Sequence, residues 1–198
     1  MFRAVLDTCT LWPSLQRDLL LTMASHRLYE PLWSDITVLE LEFHEARKLE
    51  KISHLSARDA EDRARRLIQQ MNIHFPDAMV RDTDLWTAPD FLPDENDAHV
   101  IAAAELGHAG AIVTDNLQDF PSAAVPDGVD VLSPRDFLAD TVGIDPALAY
   151  RATMDLIGRR QHPAMSFDEV LSILEDRYRA KEAVELLLLG RDLSSDVG

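Results

Sequence analysis

A single cysteine, Cys9, stands among the 198 residues. One thiol excludes an internal disulfide framework and every cysteine-based zinc site, and it suits a reducing, cytoplasmic setting. Long apolar runs are missing as well. None approaches the ~20 residues that cross a bilayer, so no membrane association is expected. The opening Met1-Phe2-Arg3-Ala4-Val5-Leu6-Asp7 has no apolar stretch of the kind a signal peptide carries. Positive charge is scarce: 19 Lys and Arg face 35 Asp and Glu, a net charge of −16, which argues against a broad polyanion-binding surface. HExxH and Cys₂His₂-like spacings are absent, and no histidine has a second at i, i+4. What remains is 46% apolar, enough to build a core and too much for wholesale disorder. Collagen-like, coiled-coil and low-complexity readings fail on the same composition.

The bases that are present cluster. Seven of the 19 lie between Arg47 and Arg66, so a local basic face is compatible with an acidic protein. Residues 3–6 read as a short buried strand stopped by Asp7, and Trp12-Pro13 opens a helix, since proline suits a first helical turn. Residues 28–33 read as a second strand. Ser34 is a helix cap, with Ile36, Leu39 and Phe43 at helical period behind it. A polar helix is expected over 56–72. Residues 75–93, with Pro76, Pro89 and Pro93, read as loop with one short element at most. Asp94 caps a helix to about 106, Gly107 and Gly110 punctuate, and residues 111–114 and 129–132 are further strands. Ser133-Pro134 caps a short helix to about 139.

Strands alternating with helices predict an α/β fold with a largely parallel central sheet. Past Gly143 the texture changes to helices alone, at 146–157, 167–178 and 180–189, with Gly158 and Pro163 as breakers. The expected organisation is therefore a domain over 1–142 and an all-α extension over 143–198. The last helix, with Ala183, Val184 and four consecutive leucines from Leu186, is too apolar to stand alone in water, so it packs on its own domain or on a partner.

Several acids stand where chemistry is expected. Ligands of open α/β sheets bind beyond the carboxyl ends of the strands; Asp7 directly follows the first strand, and Asp119 lies one short turn past the third. Glu40 shares a helical face with Ile36, Leu39 and Phe43, and Asp97 shares one with Val100, Ile101 and Ala104. A carboxylate on an apolar face is paired, bound to metal or at a rim. Asn116 and Asp119 are three apart, so one helical turn puts them on one side. Asp7, Glu40, Asp97 and Asp119 brought together would repel each other strongly, and a hard cation such as Mg²⁺ or Mn²⁺ relieves that repulsion.

With these residues assembled, residues 1–142 resemble the PIN-domain family of metal-dependent ribonucleases, and most nearly the VapC-type toxins of toxin–antitoxin systems. Val5-Leu6-Asp7-Thr8 is similar to the family's first strand and first acid. The segment from Ser34 to Leu41 is similar to its second motif, with the acid at Glu40. The segment from Asp94 to Ala104 is similar to the third, with the acid at Asp97. Ile112 to Pro121 is similar to the fourth, in which the residues at Asn116 and Asp119 are functional and Thr114 supports them. Some members carry aspartate where this chain has Asn116. His99 and the helical C-terminal extension resemble a long-chain subgroup. The resemblance implies a PIN-like parallel sheet flanked by helices, and an endoribonuclease in which Asp7, Glu40, Asp97, Asn116 and Asp119 hold Mg²⁺ or Mn²⁺. The metal would lower the pKa of a bound water that attacks phosphorus in line. It also implies a homodimer and a cognate antitoxin protein covering the site.

Single-stranded RNA is read by aromatic stacking and by Arg or Lys on phosphates. Arg47, Lys48, Lys51, Arg58, Arg63, Arg65 and Arg66 are the candidate phosphate contacts, and Trp12, Tyr29 and Trp33 the candidate stackers. The plainer reading makes the basic run a solvated helix face and Trp12 and Trp33 core or dimer contacts. Rival functions are a haloacid-dehalogenase-type phosphatase, a non-catalytic PIN-fold scaffold for a protein partner, and a PIN nuclease in RNA processing outside a toxin system. The phosphatase needs a second acid two residues after its nucleophile, and Cys9 stands there.

Overall fold

Ala4, Val5 and Leu6 are wholly buried, as are Ala111, Ile112 and Val113. Unbroken apolar strands of this kind belong to a parallel sheet covered on both faces. The computed structural model describes residues 1–87, 92–160 and 164–195; Pro89, a mark of the expected 75–93 loop, and Pro163, an expected helix breaker, lie outside them. The described strands are β1 (Arg3–Leu6), β2 (Glu30–Ser34), β3 (Met79–Val80), β4 (Ala111–Val113) and β5 (Asp130–Leu132). They form one sheet in the order β3-β2-β1-β4-β5. β1 runs parallel to β4 with Val5 opposite Ile112, β4 to β5 with Ile112 opposite Val131, and β2 to β3 with Trp33 opposite Met79. The chain thus winds outward from β1 to β3 and then returns to β1's other side as β4. That reversal opens a crevice at the carboxyl ends of β1 and β4.

The described helices are α1 (Thr8–Leu11), α2 (Ser14–Ser25), α3 (Asp35–Ser53), α4 (Ala57–His74), α5 (Ala98–Leu106), α6 (Pro134–Ile144), α7 (Pro146–Arg159), α8 (Phe167–Asp176) and α9 (Lys181–Ser195). Local chemistry starts most of them. The hydroxyls of Ser34, Ser56, Ser133 and Ser166 each accept from a backbone amide three residues on, satisfying a donor the helix leaves open. On α4 the buried residues are Ala60, Ala64, Ile68 and Met71, one apolar stripe on an otherwise charged helix.

Three local expectations are corrected. The helix expected to open at Trp12-Pro13 is α2, which starts at Ser14; the short α1 before it was not expected, and Pro13, with no amide to continue a helix, parts the two. The helix expected from Asp94 begins as a 3₁₀ turn over Glu95–Asp97, and α5 starts only at Ala98. The loop expected over 75–93 with one short element holds two among its described residues, β3 and a 3₁₀ turn at Thr83–Leu85, each too short to leave a periodic signature.

The chain divides into two compact units. One holds Phe2–Pro13 and Pro31–Leu132, the other Ser14–Glu30 and the residues from Ser133 onward. In the first, Val5, Leu32, Ile101, Ile112 and Phe120 share a core, and Trp33 is fully buried edge-on to Phe75 at 6.0 Å. In the second, Tyr29 is buried edge-on to Phe137 at 4.9 Å and donates its hydroxyl to the Leu20 carbonyl. The apolar α9 buries Ala183, Val184 and Leu187 within this unit. Its Gly190 lies so near the start of α7 that a Cβ there would stand 2.0 Å from the Pro146 carbonyl oxygen. No helix of the described residues is long and apolar enough to cross a membrane.

Candidate active site

Asp7 is the residue at which β1 ends and α1 begins, and it is buried. Its Oδ1 accepts from the Thr8 amide, which is the helix cap that starts α1. Its Oδ2 accepts from the Thr114 hydroxyl at 2.7 Å and from the Cys9 thiol at 3.1 Å. Thr114 follows β4 and is itself fully buried; its oxygen also accepts from the Asn116 amide at 3.0 Å. The parallel pairing of β1 with β4 therefore places the donor that fixes Asp7 and orients the turn bearing Asn116. Cys9 is clamped in the same network, its sulfur accepting from the Asp115 amide at 3.2 Å. Burial, followed by the Asp7 charge, pushes the Cys9 thiol up to about 12, so it stays protonated and donates.

Glu40 comes from α3. Its Oε2 accepts from the Thr8 hydroxyl at 2.5 Å, tying α3 to the residue beside Asp7. The reason for Glu40's position differs from the one expected. Leu39 and Phe43 are 66% and 55% exposed, so the Ile36-Leu39-Phe43 stripe is not the inward face. Thr37, Val38, Leu41 and Ala46 are buried instead, and Glu40 stands at the edge of that face, half-buried. Asp97 stands in the cap position of α5 but makes no capping hydrogen bond, which leaves its carboxyl free for the cavity.

Asp7, Glu40, Asp97 and Asn116 line one cavity of about 390 Å³ together with Thr8, Cys9, Trp12 and His44. No lysine or arginine is among these lining residues. Asp119, in the 3₁₀ turn Leu117–Asp119, is half-buried and is not one of them, yet its charge reaches Asp97. Burial raises the Asp97 carboxyl to about 6, and Asp7, Asp94, Asp119 and Glu40 add to the rise in that order. Burial and then Asp7 also push Asp115 up. Behind the cavity, the Ser34 hydroxyl that caps α3 lies 2.7 Å from Nδ1 of His99 on α5. Both side chains are buried. Burial holds His99 below its ordinary value, against the pull of Glu40, Asp7 and Asp35.

This donor set fits a hard divalent cation. Three carboxylates and a side-chain amide share one cavity without a lysine or arginine in its lining, and Asp97 bears the cost of burial and then of its acidic neighbours. Among the described residues no three His, Cys, Asp or Glu side chains stand close enough to grip a bare ion. Mg²⁺ tolerates such spacing because it keeps several of its waters.

A PIN-domain family model matches residues 3–118. The chain belongs to the PIN-domain family. A second family model, the VapC50 C-terminal domain, matches residues 134–188, and the two in this order mark a VapC-type PIN protein with a C-terminal extension. Comparison with curated proteins and with solved structures found no match. PIN domains are nucleases and in general depend on a divalent metal.

Within the PIN cavity, the sequence patterns assign no site role to Thr8, Cys9 or His44. His44 had a usable signal, since it lies four residues after Glu40 and hence on the same side of α3. Thr8 had only its adjacency to Asp7. Trp12, a candidate stacker whose plainer reading is a core or dimer contact, is 43% exposed at the cavity wall. Tyr29 and Trp33 are buried and are removed as stacking candidates.

Proposed function

We propose that the chain is a divalent-metal-dependent endoribonuclease and the toxin of a toxin–antitoxin pair. In this reading residues 1–142 carry the catalysis and residues 143–198 form the helical extension. The protein acts in the cytoplasm as a homodimer and is silenced by a cognate antitoxin protein. The observation that carries the reading is the meeting of Asp7, Glu40, Asp97 and Asn116, from four separate stretches of chain, on one cavity at the sheet's reversal point. The two family matches support the toxin setting.

Asp7, Glu40, Asp97, Asn116 and Asp119 would hold Mg²⁺ or Mn²⁺. Such an ion, when bound, supplies an activated water and neutralises charge developing on a phosphodiester. The chain's own contribution is orientation. Thr114, Cys9 and the Thr8 amide fix both oxygens of Asp7, and the Thr8 hydroxyl fixes Glu40. Because Thr8 serves both acids, their relative position is set by one residue. Burial first, and then the charges of Asp7, Asp94, Asp119 and Glu40, raise Asp97, and a cation would relieve the second part of that cost.

The test is cleavage of a structured RNA pool by wild type and by Asp97→Asn, with Mn²⁺ and with EDTA. Cleavage by wild type alone, lost on chelation, is the expected result. A pool left intact by wild type in Mn²⁺, with no Mn²⁺ bound on titration, would turn the protein into a PIN-fold scaffold.

A further inference from the structure

The wall of the cavity opposite in character to its acids is aromatic. Trp12 and His44 line the same 390 Å³ space as Asp7, Glu40 and Asp97. Trp12 is a large apolar ring left 43% exposed, although Trp33 and Tyr29 are fully buried. Its position is fixed by α3: the Lys48 ammonium stands 5.7 Å from the Trp12 ring centre and donates to the Trp12 carbonyl at 3.3 Å. One residue earlier on α3, the Arg47 guanidinium stands 5.3 Å from the ring of exposed Phe43. A held, solvent-facing indole with the Lys48 ammonium beside it, Arg47 next along α3 and the carboxylates in the same cavity has the parts of a single-strand binding platform: a π-face for a base and positive charge for the backbone.

We propose that Trp12 is a nucleobase subsite. An unpaired base next to the scissile phosphodiester stacks on the indole, and Arg47 and Lys48 lie along the flanking backbone. The inference rests on the ribonuclease reading and deepens it by assigning the residue of this chain that holds the base beside the scissile bond. One physical point selects unpaired RNA over a duplex: base faces in an A-form helix are already stacked on their neighbours, so only splayed bases offer a face to an aromatic side chain. Lys48 is also held by Glu45 on its own helix, so Lys48 steadies the indole, while exposed Arg47 is the freer phosphate contact.

The experiment measures binding by fluorescence anisotropy in EDTA, where cleavage is blocked. The full chain is titrated onto a labelled 12-nucleotide RNA and onto the same strand paired with its complement. Wild type, Trp12→Phe and Trp12→Leu are compared, after thermal unfolding has established that all three fold. Wild type is expected to prefer the single strand. Trp12→Leu keeps apolar bulk but loses the π-face, and its affinity for the single strand should fall roughly 5- to 100-fold, the range of one base–aromatic stack. Trp12→Phe should stay within a few-fold of wild type, and duplex binding should be the same for all three. With Mn²⁺ restored, Trp12→Leu should cleave with a raised KM and a kcat close to wild type. Equal single-strand binding by wild type and Trp12→Leu, or parallel losses on strand and duplex, would overturn the subsite while leaving a cleaving enzyme intact. Trp12-dependent single-strand binding without cleavage in Mn²⁺ would overturn the nuclease reading and leave the subsite standing. A wild-type chain that binds neither RNA overturns both.

Discussion

Replacing Asp97 by asparagine should make the metal-free protein more stable while removing its activity. The carboxyl is raised from 3.8 to about 6 by burial and by its acidic neighbours. A raised carboxyl means that the folded state holds its proton more tightly than the unfolded state does. Wild-type stability is therefore unaffected by this group below about pH 4, falls between about pH 4 and pH 6, and carries the full cost above that. Taken at 1.36 kcal/mol per pH unit the cost is about 3 kcal/mol, but Asp97 is only half-buried and solvent screens it, so about 1–1.5 kcal/mol is the realistic share. For a domain of this size that corresponds to ~2–6 °C in Tm. The assay is thermal unfolding of wild type and Asp97→Asn in EDTA at pH 4 and at pH 7.5, with RNA cleavage in Mn²⁺ measured in parallel. The variant should match wild type at pH 4 and melt higher at pH 7.5. Adding Mn²⁺ should raise wild type more than the variant, because only wild type has the full charge to bind it. A variant that melts lower at pH 7.5, or a difference that does not change with pH, would refute the electrostatic account of the cavity.

Three further outcomes follow from contacts described above. Asparagine places a polar atom near the position of a histidine Nδ1 and glutamine does not, so His99→Asn should keep much of the tie to Ser34. His99→Gln should lose about 1–3 kcal/mol in urea unfolding, together with RNA cleavage; equal behaviour of the two variants would remove that hydrogen bond from the explanation. With its thiol pushed up to about 12, Cys9 should carry on the order of a thousandfold less thiolate at pH 8 than a free cysteine, and iodoacetamide labelling of the native protein should be slow until denaturant is added. Gly190→Ala must push α9 away from Pro146 and should cost about 1–3 kcal/mol by calorimetry, the usual range for overpacking.

The parallel sheet was readable because β1 and β4 are short apolar runs ended by polar residues, and helix starts were readable because Ser34, Ser56 and Ser133 are caps whose chemistry is local. The acids were readable as exceptions to their surroundings. The reason given for Glu40 was nevertheless wrong, since helical period identifies a stripe without saying which stripe faces inward: Leu39 and Phe43 are exposed, and Thr37 and Val38 are buried. A threonine on the inward face hid that side from hydrophobic patterning. β3 was unreadable because two residues carry no period. The roles of Thr8 and Thr114 are long-range, resting on hydrogen bonds to Glu40 and Asp7 across 32 and 107 residues, and no local pattern announces such bonds. The plainer reading of Trp12 as core fails because it rests on tryptophan being buried on average, and this one stands 43% exposed.

The pairing of β1 with β4 also sets an order of events during synthesis. β1 is the first strand to be made, but its neighbour on one side lies 107 residues later, as does the threonine that holds Asp7. At ordinary translation speeds of ~5–20 residues per second, some 5–20 s separate their emergence from the ribosome. During that interval Asp7 has no Thr114, Asp97 has not met the other acids, and the cavity does not exist. A nascent chain of this protein is thus chemically silent until most of its nuclease portion has been translated, and closing so long a loop makes the late step slow as well. The sheet order acts as a timer: it postpones the cavity until β4 and Thr114 have been made and can fix Asp7.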